Sequence, residues 1–361
     1  MSTLRERLAK LGPLVGLLCV WILFAFAAGG DFVAWSNQRL MLLQTAVVGT
    51  AAIGATMIIA SGGIDLSVGS TIALGTVSGA LARRAGLGAG LAVLIAIVTG
   101  LLCGLFIGAL VVGRLFQVCA LIVGLALAFL AQRAGHAPLA LGLALASVAS
   151  AAWIGARSHS RLPLSPFIVT LGAWGALRGL AKGLGDNQPV YPSGTGWIAS
   201  LLGGESFLPP GVWILIALAL AAAFVLRSSV FGRHVFAVGS NEETARLCGV
   251  DIERTKLLVY ALGIGCAGVA SVLQLSYLSM GDPTTAEGYE LKVIAAAVIG
   301  GASLSGGEGS ILGTLLGALI MTVVDNGCTK LGLDNWVQEI VTGAIILAAV
   351  ALDRARARRS V

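Results

Sequence analysis

The chain is 361 residues long, 57% hydrophobic and only 11% charged, with 50 glycines and a formal net charge of +6. A soluble domain carries about a quarter charged residues and could not bury this much apolar surface, while the hydrophobicity and the lack of a short period exclude disorder and collagen. Basic residues gather at the ends of apolar runs instead of forming a patch with interleaved aromatics, which excludes a nucleic-acid partner and leaves a protein of the lipid bilayer.

Met1–Lys10 carries Arg5, Arg7 and Lys10 without a small-residue cleavage site, so it is predicted to be a cytoplasmic tail leading into a retained span. Apolar runs long enough to cross about 30 Å of hydrocarbon follow at about 11–30, 40–60, 66–82, 88–113, 115–131, 138–156, 165–184, 210–226, 257–280, 291–304, 311–328 and 335–352. They predict an all-α polytopic bundle of about ten to twelve spans forming a single transmembrane domain over 1–361. Alternate counting puts both termini in the cytoplasm, together with Arg157–Arg161, Arg227–Lys256 and Arg354, Arg356, Arg358 and Arg359. The same count puts Gly185–Leu208 outside, and Arg83, Arg84 and Arg133 fall outside with it.

Two glycine-rich breaks interrupt the runs: SGGIDLSVGS (Ser61–Ser70) and GGASLSGGEGS (Gly300–Ser310). Lipid offers free backbone groups no partner, so each break must be buried in protein or line a watery path. Gly62, Gly63, Leu66, Ser67, Gly75, Thr76 and Gly79 match Gly300, Gly301, Leu304, Ser305, Gly313, Thr314 and Gly317 without a gap, which predicts a parallel internal repeat with broken or re-entrant segments. Asp65 has two readings, a helix cap shared with Ser67 or an intramembrane acid that meets cargo or a gating partner. Arg178 and Lys182, one turn apart, either snorkel to the surface or attract an acidic partner. The Gly100-x-x-x-Gly104-x-x-x-Gly108 and Gly313-x-x-x-Gly317 series mark close helix contacts within one subunit.

No motif for covalent chemistry occurs: there is no Gly-x-x-x-x-Gly-Lys-Ser/Thr loop, no HExxH and no Gly-x-Ser-x-Gly elbow. The six cysteines and the histidines His136, His159 and His234 share no ligand spacing, so no catalytic residue, metal or cofactor is expected. The longest cytoplasmic connection, 227–256, contains the polar segment Asn241–Lys256. Within it Glu243 and Ala245 suit the first turn of a short helix, Asn241 or Ser240 its cap and Gly249 a left-handed stop; an ordinary solvated connector is the alternative.

Longer segments carry a resemblance. SGGIDLSVGS, SPFIVTLGAWGALRGLA (Ser165–Ala181), FGRHVFAVGSNEETARLCGVDIERTKLLVY (Phe231–Tyr260), GYELKVIAAAVIGGASLSGGEGSILGTLLGAL (Gly288–Leu319) and the closing WVQEIVTGAIILAAVALD together resemble the ribose/xylose/galactose-type permeases of ATP-binding-cassette importers, grouped with branched-chain amino acid permeases. The resemblance implies a permease subunit of the bacterial inner membrane that moves a monosaccharide, the alternatives being a nucleoside, polyol or amino acid, or an ion-coupled secondary transporter. It implies three partners: a cytoplasmic ATPase, a periplasmic sugar-binding protein and a second permease copy. Path or gate residues are then expected among Gly62, Gly63, Asp65, Ser67, Glu290, Ser303 and Ser305, and the ATPase-coupling helix at Asn241, Glu242, Glu243, Ala245, Arg246 and Gly249, where Glu-Thr-Ala-x-x-x-Gly is similar to the family's Glu-Ala-Ala-x-x-x-Gly. Two departures stand out. Residues 115–160 are an insertion, predicted to be a two-span hairpin, and Lys292 stands where Gly-Tyr-Glu-Leu is usually followed by Asp.

Overall fold

The computed structural model describes residues 2–157, 164–203 and 208–357; Met1, His159, Arg161, Arg358, Arg359 and the predicted end of the insertion at Ser160 lie outside the described residues. In chain order the helices are α1 (Ser2–Ala28), α2 (Gly30–Val33), α3 (Trp35–Ala60), α4 (Val68–Arg84), α5 (Ala89–Val111), α6 (Leu115–Arg133), α7 (Ala137–Arg157) and α8 (Pro166–Leu184). A 3-10 turn (Gly196–Leu201) precedes α9 (Pro210–Ser228), α10 (Val230–Ser240), α11 (Glu242–Leu247), α12 (Ile252–Leu278), α13 (Tyr289–Ile299), α14 (Ile311–Lys330) and α15 (Asn335–Ala357). No strand occurs among the described residues, as the all-α reading requires. Helices α3, α5, α9, α12 and α14 are each long and apolar enough to cross a membrane, and shorter apolar helices complete the polytopic bundle.

The centre is built by α3 and α12, whose most apolar windows are 89% and 78% buried, against 33% for α5 and α9 at the periphery. Small residues explain why these helices come so close. Gly54 faces the backbone of Gly263, Gly100 faces Gly268 and Gly104 faces the Tyr260 carbonyl, so any side chain at these positions would strike main chain. Both predicted glycine series therefore serve contacts inside the subunit, since Gly313 and Gly317 abut Gly300 and Ala296 of α13.

The run at 291–304 is not a span. Helix α13 has 11 residues, about 16 Å long, and its continuation into Gly300 and Gly301 is a turn, with Gly301 at φ 95°. Ala295–Val298 made the stretch read as a span because they are buried in protein, not because they meet lipid.

The contacts give the directions of the repeated helices. Thr56 pairs with Thr314 and Asn37 with Asn326, so α3 and α14 are antiparallel; α13 and α14 form a hairpin, so α13 runs with α3. Gly75 lies on Ser271 and Gly79 on Leu275, so α4 runs with α12, opposite to α3, and hence with α14. The repeat is parallel. Its two halves are interleaved, because α1 packs on α14 of the second copy whereas α12 packs on α3, α4 and α5 of the first. Gly16 against Ile320 and Gly327 against Phe24 fix the α1–α14 register.

Over the predicted insertion, α6 and α7 pack along each other as a hairpin, with Gly124 against Ser147, and touch the rest of the bundle chiefly through α5.

Candidate functional site

The first break carries the chain from α3 back into the bundle. From the α4–α12 register, the start of α4 lies level with about residue 265 of α12, roughly 20 Å from either end of that helix. Helix α13 also starts at this level, because Gly69 in the first turn of α4 faces the Ala286 carbonyl and the Glu290 carboxylate. Two helices running in opposite directions thus present their N-terminal ends to one interior region. Free backbone donors and the positive end of each macrodipole favour acids there, and Asp65 and Glu290 are those acids.

Asp65 is 2% exposed, and its Oδ1 accepts from the Ser67 backbone N–H at 2.8 Å and the Ser67 hydroxyl at 2.6 Å. It closes the turn before α4. Ser67 is the N-cap residue, but its side chain accepts nothing from the helix; it spends its proton on Asp65. The capping reading therefore holds for the turn and not for the helix end. The other carboxylate oxygen of Asp65, one Glu290 oxygen, one Arg178 nitrogen and the Tyr260 hydroxyl are buried without a hydrogen-bond partner among the described residues. Tyr260 places that hydroxyl where a side chain at Gly63 would sit.

Neither sequence reading of Arg178 survives. The side chain does not snorkel outward: it is buried and donates to the carbonyls of Pro283 at 3.0 Å and Thr285 at 2.6 Å. It clamps the segment 279–288 that dips from the end of α12 to the start of α13. Gln274 donates to the Thr285 hydroxyl at 2.8 Å, Asp282 accepts from Thr284, and Val190 bridges to Gly281. Ala286 is held at φ 56°, a conformation that a non-glycine residue adopts at a cost of about 1–3 kcal/mol unless its surroundings fix it.

The predicted path residues form two groups. Asp65, Ser67 and Glu290 belong to the interior region just described. Gly62, Ser303 and Ser305 lie at one end of the bundle, where the two breaks meet: the Gly307 N–H donates to the Ala60 carbonyl at 3.0 Å, and Gly306 abuts Gly62. Ser303 and Ser305 shape the turn there, with the Ser303 N–H on the Glu308 carbonyl at 3.3 Å, and Ser310 caps α14 through the Gly313 N–H.

Gly239, absent from the sequence-derived set, sits at that junction. Its α-carbon faces the Ala60 carbonyl and the Gly307 N–H, its own carbonyl abuts Gly306, and a side chain there has no room. A glycine one residue before the Ser-Asn helix start was the only sign in the sequence. Directly after it, Asn241 caps α11 by accepting from the Thr244 N–H at 2.8 Å, Ala245 is buried against Val238 and Ile252, and Gly249 turns the chain at φ 84°. Glu242 pairs with Arg246 at 3.4 Å and Lys256 at 2.6 Å, tying α11 to α12. The outer face of α11 is exposed at Glu243 and Leu247, and Leu247, 85% exposed, was not anticipated.

The arrangement offers buried polar groups at the starts of α4 and α13 and a close-packed junction where the two breaks meet. In comparisons with known proteins, the family model described as "Branched-chain amino acid transport system / permease component" matches residues 113–350. The chain is 34% identical over 342 residues to the ribose import permease protein RbsC of Escherichia coli (strain K12), covering 93% of this chain and 91% of that one. It is 34% identical over 377 residues to the xylose transport system permease protein XylH of the same strain, covering 96% and 92%. To RbsC of Bacillus subtilis (strain 168) it is 32% identical over 347 residues, again covering 96% and 92%. No solved structure matches.

Proposed function

Since this chain belongs to the family of branched-chain amino acid transport system permease components, we propose that it is the translocation subunit of an ATP-driven importer for a monosaccharide of the pentose or hexose class. The observation that carries the cargo class is the likeness, along more than nine-tenths of both chains, to permeases named for ribose and xylose. Nucleoside, polyol or amino acid cargo and ion-coupled transport find no comparable support.

In this reading a separate cytoplasmic ATPase hydrolyses ATP and docks on the connection 227–256, chiefly on the exposed side of α11 at Glu243, Leu247 and Gly249. The buried Ala245 and the Asn241 cap hold α11 rigid, so a push on it moves as a body into α10 and Gly239, and from there into both breaks. Arg246 and Glu242 brace that lever. Asp65, Ser67 and Glu290 form the interior gate or cargo contact, with Gly62, Gly63, Ser303 and Ser305 as the flexing turns. The α11 end faces the cytoplasm of a bacterial inner membrane, both termini lie on that side, and the loop 185–208 at the opposite end receives a periplasmic sugar-binding protein. Two copies of the chain enclose the path.

The test is reconstitution with an ATPase and a sugar-binding protein from the same bacterium that co-purify with this chain. Uptake of D-ribose or D-xylose should require ATP, both partners and an intact α11. Gly249→Trp or Glu243→Arg should lower ATPase co-purification and uptake while the binding protein still docks. Sugar uptake that persists without the ATPase would overturn the reading, and normal coupling in both variants would remove α11 from it.

A further inference from the structure

An ion pair occupies an unexpected place. Lys292, the residue that departs from the resembling family, has its ammonium paired with the Asp325 carboxylate across the α13–α14 hairpin. That ammonium also lies over the Tyr289 ring, 5.4 Å from its centroid. Lys292 lies in the first turn of α13, which starts at the interior level described above, and Asp325 stands about 21 Å along α14 from Ile311 and about 8 Å before its end. Both side chains stay open on the flank of the lone chain, at 23% and 26% exposure, next to Leu291 at 47%. Tyr277, near Tyr289, is exposed as well.

A flank at this depth can meet lipid or water. Charged groups facing hydrocarbon are expensive, and intramembrane charges nearly always face the bundle interior or a water-filled cavity. A pair buried for stability alone would be closed over, and this one is not. We infer that the flank carrying Lys292 and Asp325 is a wall of the translocation path, and that these two side chains contact a neutral polyhydroxylated cargo as it passes. The chemistry is matched: the ammonium donates to hydroxyl oxygens and the carboxylate accepts from hydroxyl protons, while Tyr289, packed on the core, holds the ammonium in place. The assignment of the cargo contact rests on the sugar-import reading above; the assignment of the wall does not.

The experiment separates the two. In a background with the six native cysteines replaced, Leu291→Cys and Lys292→Cys are tested with a membrane-impermeant cationic thiol reagent in inside-out and right-side-out vesicles. Labelling from at least one side, slowed when D-ribose or D-xylose is being transported, is the expected result. No labelling, or oxidative cross-linking of two copies through these positions without labelling, overturns the wall. For the cargo contact, the exchange Lys292→Asp with Asp325→Lys keeps the pair and hence the packing. Uptake at saturating binding protein should fall about fivefold or more with ATPase assembly unchanged, since hydroxyl partners are re-registered. Wild-type uptake by the exchanged variant overturns the contact while leaving the wall standing. A wild-type protein that moves no sugar under ATP but still labels at 291 or 292 overturns the sugar reading and the contact that depends on it, and spares the wall.

Discussion

Aligned at the separation of Gly62 and Gly300, the two breaks share their Gly-Gly pair, a Leu-Ser step and a following glycine, yet they are built differently. In the second, Gly313 meets Gly300 and Gly317 meets Ala296, so α13 and α14 close into a hairpin whose main chains touch. In the first, the counterparts Gly75 and Gly79 meet side chains of α12, at Ser271 and Leu275, and α3 and α4 hardly touch. Even the left-handed residue shifts by one, from Gly62 at φ 80° to Gly301, the counterpart of Gly63, at φ 95°. A repeated motif therefore specifies that the helix breaks and that small residues follow; the partner packed alongside decides what the break becomes. In the first copy α12 has moved in, and the break is a buried polar turn around Asp65. In the second the break stays at the bundle end, with Ser305 exposed, and holds α10 through Gly307.

The change with the largest expected effect acts where the breaks join. Gly239→Val adds a branched side chain against the Ala60 carbonyl and Gly307, neither of which is a flexible group that can swing aside. Overpacking of a rigid site costs about 1–3 kcal/mol, and here it separates the two breaks as well. Uptake should be lost, with a lower melting temperature by fluorescence-detected size-exclusion chromatography. Full uptake would show that the breaks need not touch.

A gentler pair of substitutions tests the packing difference itself. Gly313→Ala forces a methyl group to 1.9 Å from the Gly300 carbonyl oxygen, whereas Gly75→Ala meets the Ser271 hydroxyl, which can rotate away, and the Ser271 β-carbon at 2.6 Å, which yields only if α4 and α12 part slightly. Gly313→Ala should destabilise by about 1–3 kcal/mol and Gly75→Ala by clearly less, read as thermal shifts of purified protein in detergent. Equal shifts would mean that the first copy is as tightly closed as the second.

Asp65→Asn isolates the charge of the first break. Asn keeps an oxygen for the Ser67 N–H and hydroxyl, so the turn should survive and expression should be unchanged. Uptake should still fall several-fold, because the second oxygen, buried and unpartnered among the described residues, becomes a donor. If uptake is unaffected, Asp65 is a turn residue and nothing more.

Much of this was legible in the sequence. The helices of the bundle followed from apolar runs, and the repeat followed from glycine, serine and threonine at fixed spacing, because backbone approach tolerates few substitutes for glycine. The α11 signals were local: an Asn cap, a buried Ala and a left-handed Gly lie within nine residues of one another, and each acts on its own turn. Arg178 was misread because its partners are carbonyls about a hundred positions away, and a carbonyl leaves no trace in a residue pattern. The 291–304 run was misread for a related reason, since burial against protein and burial against lipid select the same apolar residues. Gly239 was passed over because the sequence of α10 does not say that two distant breaks converge on it.

The smallest effect is expected from the region that has no counterpart in either break. Hairpin α6–α7 closes on itself through Gly124 and Ser147 and rests on the bundle mainly at α5. Its outward residues, Phe116, Ile122, Leu141, Leu145 and Trp153 among them, are exposed apolar groups suited to lipid. Arg114, just before it, reaches back instead to Glu253 at 3.8 Å, so the anchor to α12 is made outside the hairpin. Removing 115–160 and joining Arg114 to the segment before α8 by a short Gly-Ser linker leaves that anchor, the two breaks, α11 and the Lys292–Asp325 pair in place. Reconstituted uptake should change by less than about twofold and ATPase co-purification should not change, because contacts far from the deletion contribute independently. An assembled deletion variant that binds the ATPase but moves no sugar would place the hairpin in the transport cycle, and the contrast between two working breaks and a peripheral insertion would have to be redrawn around α5.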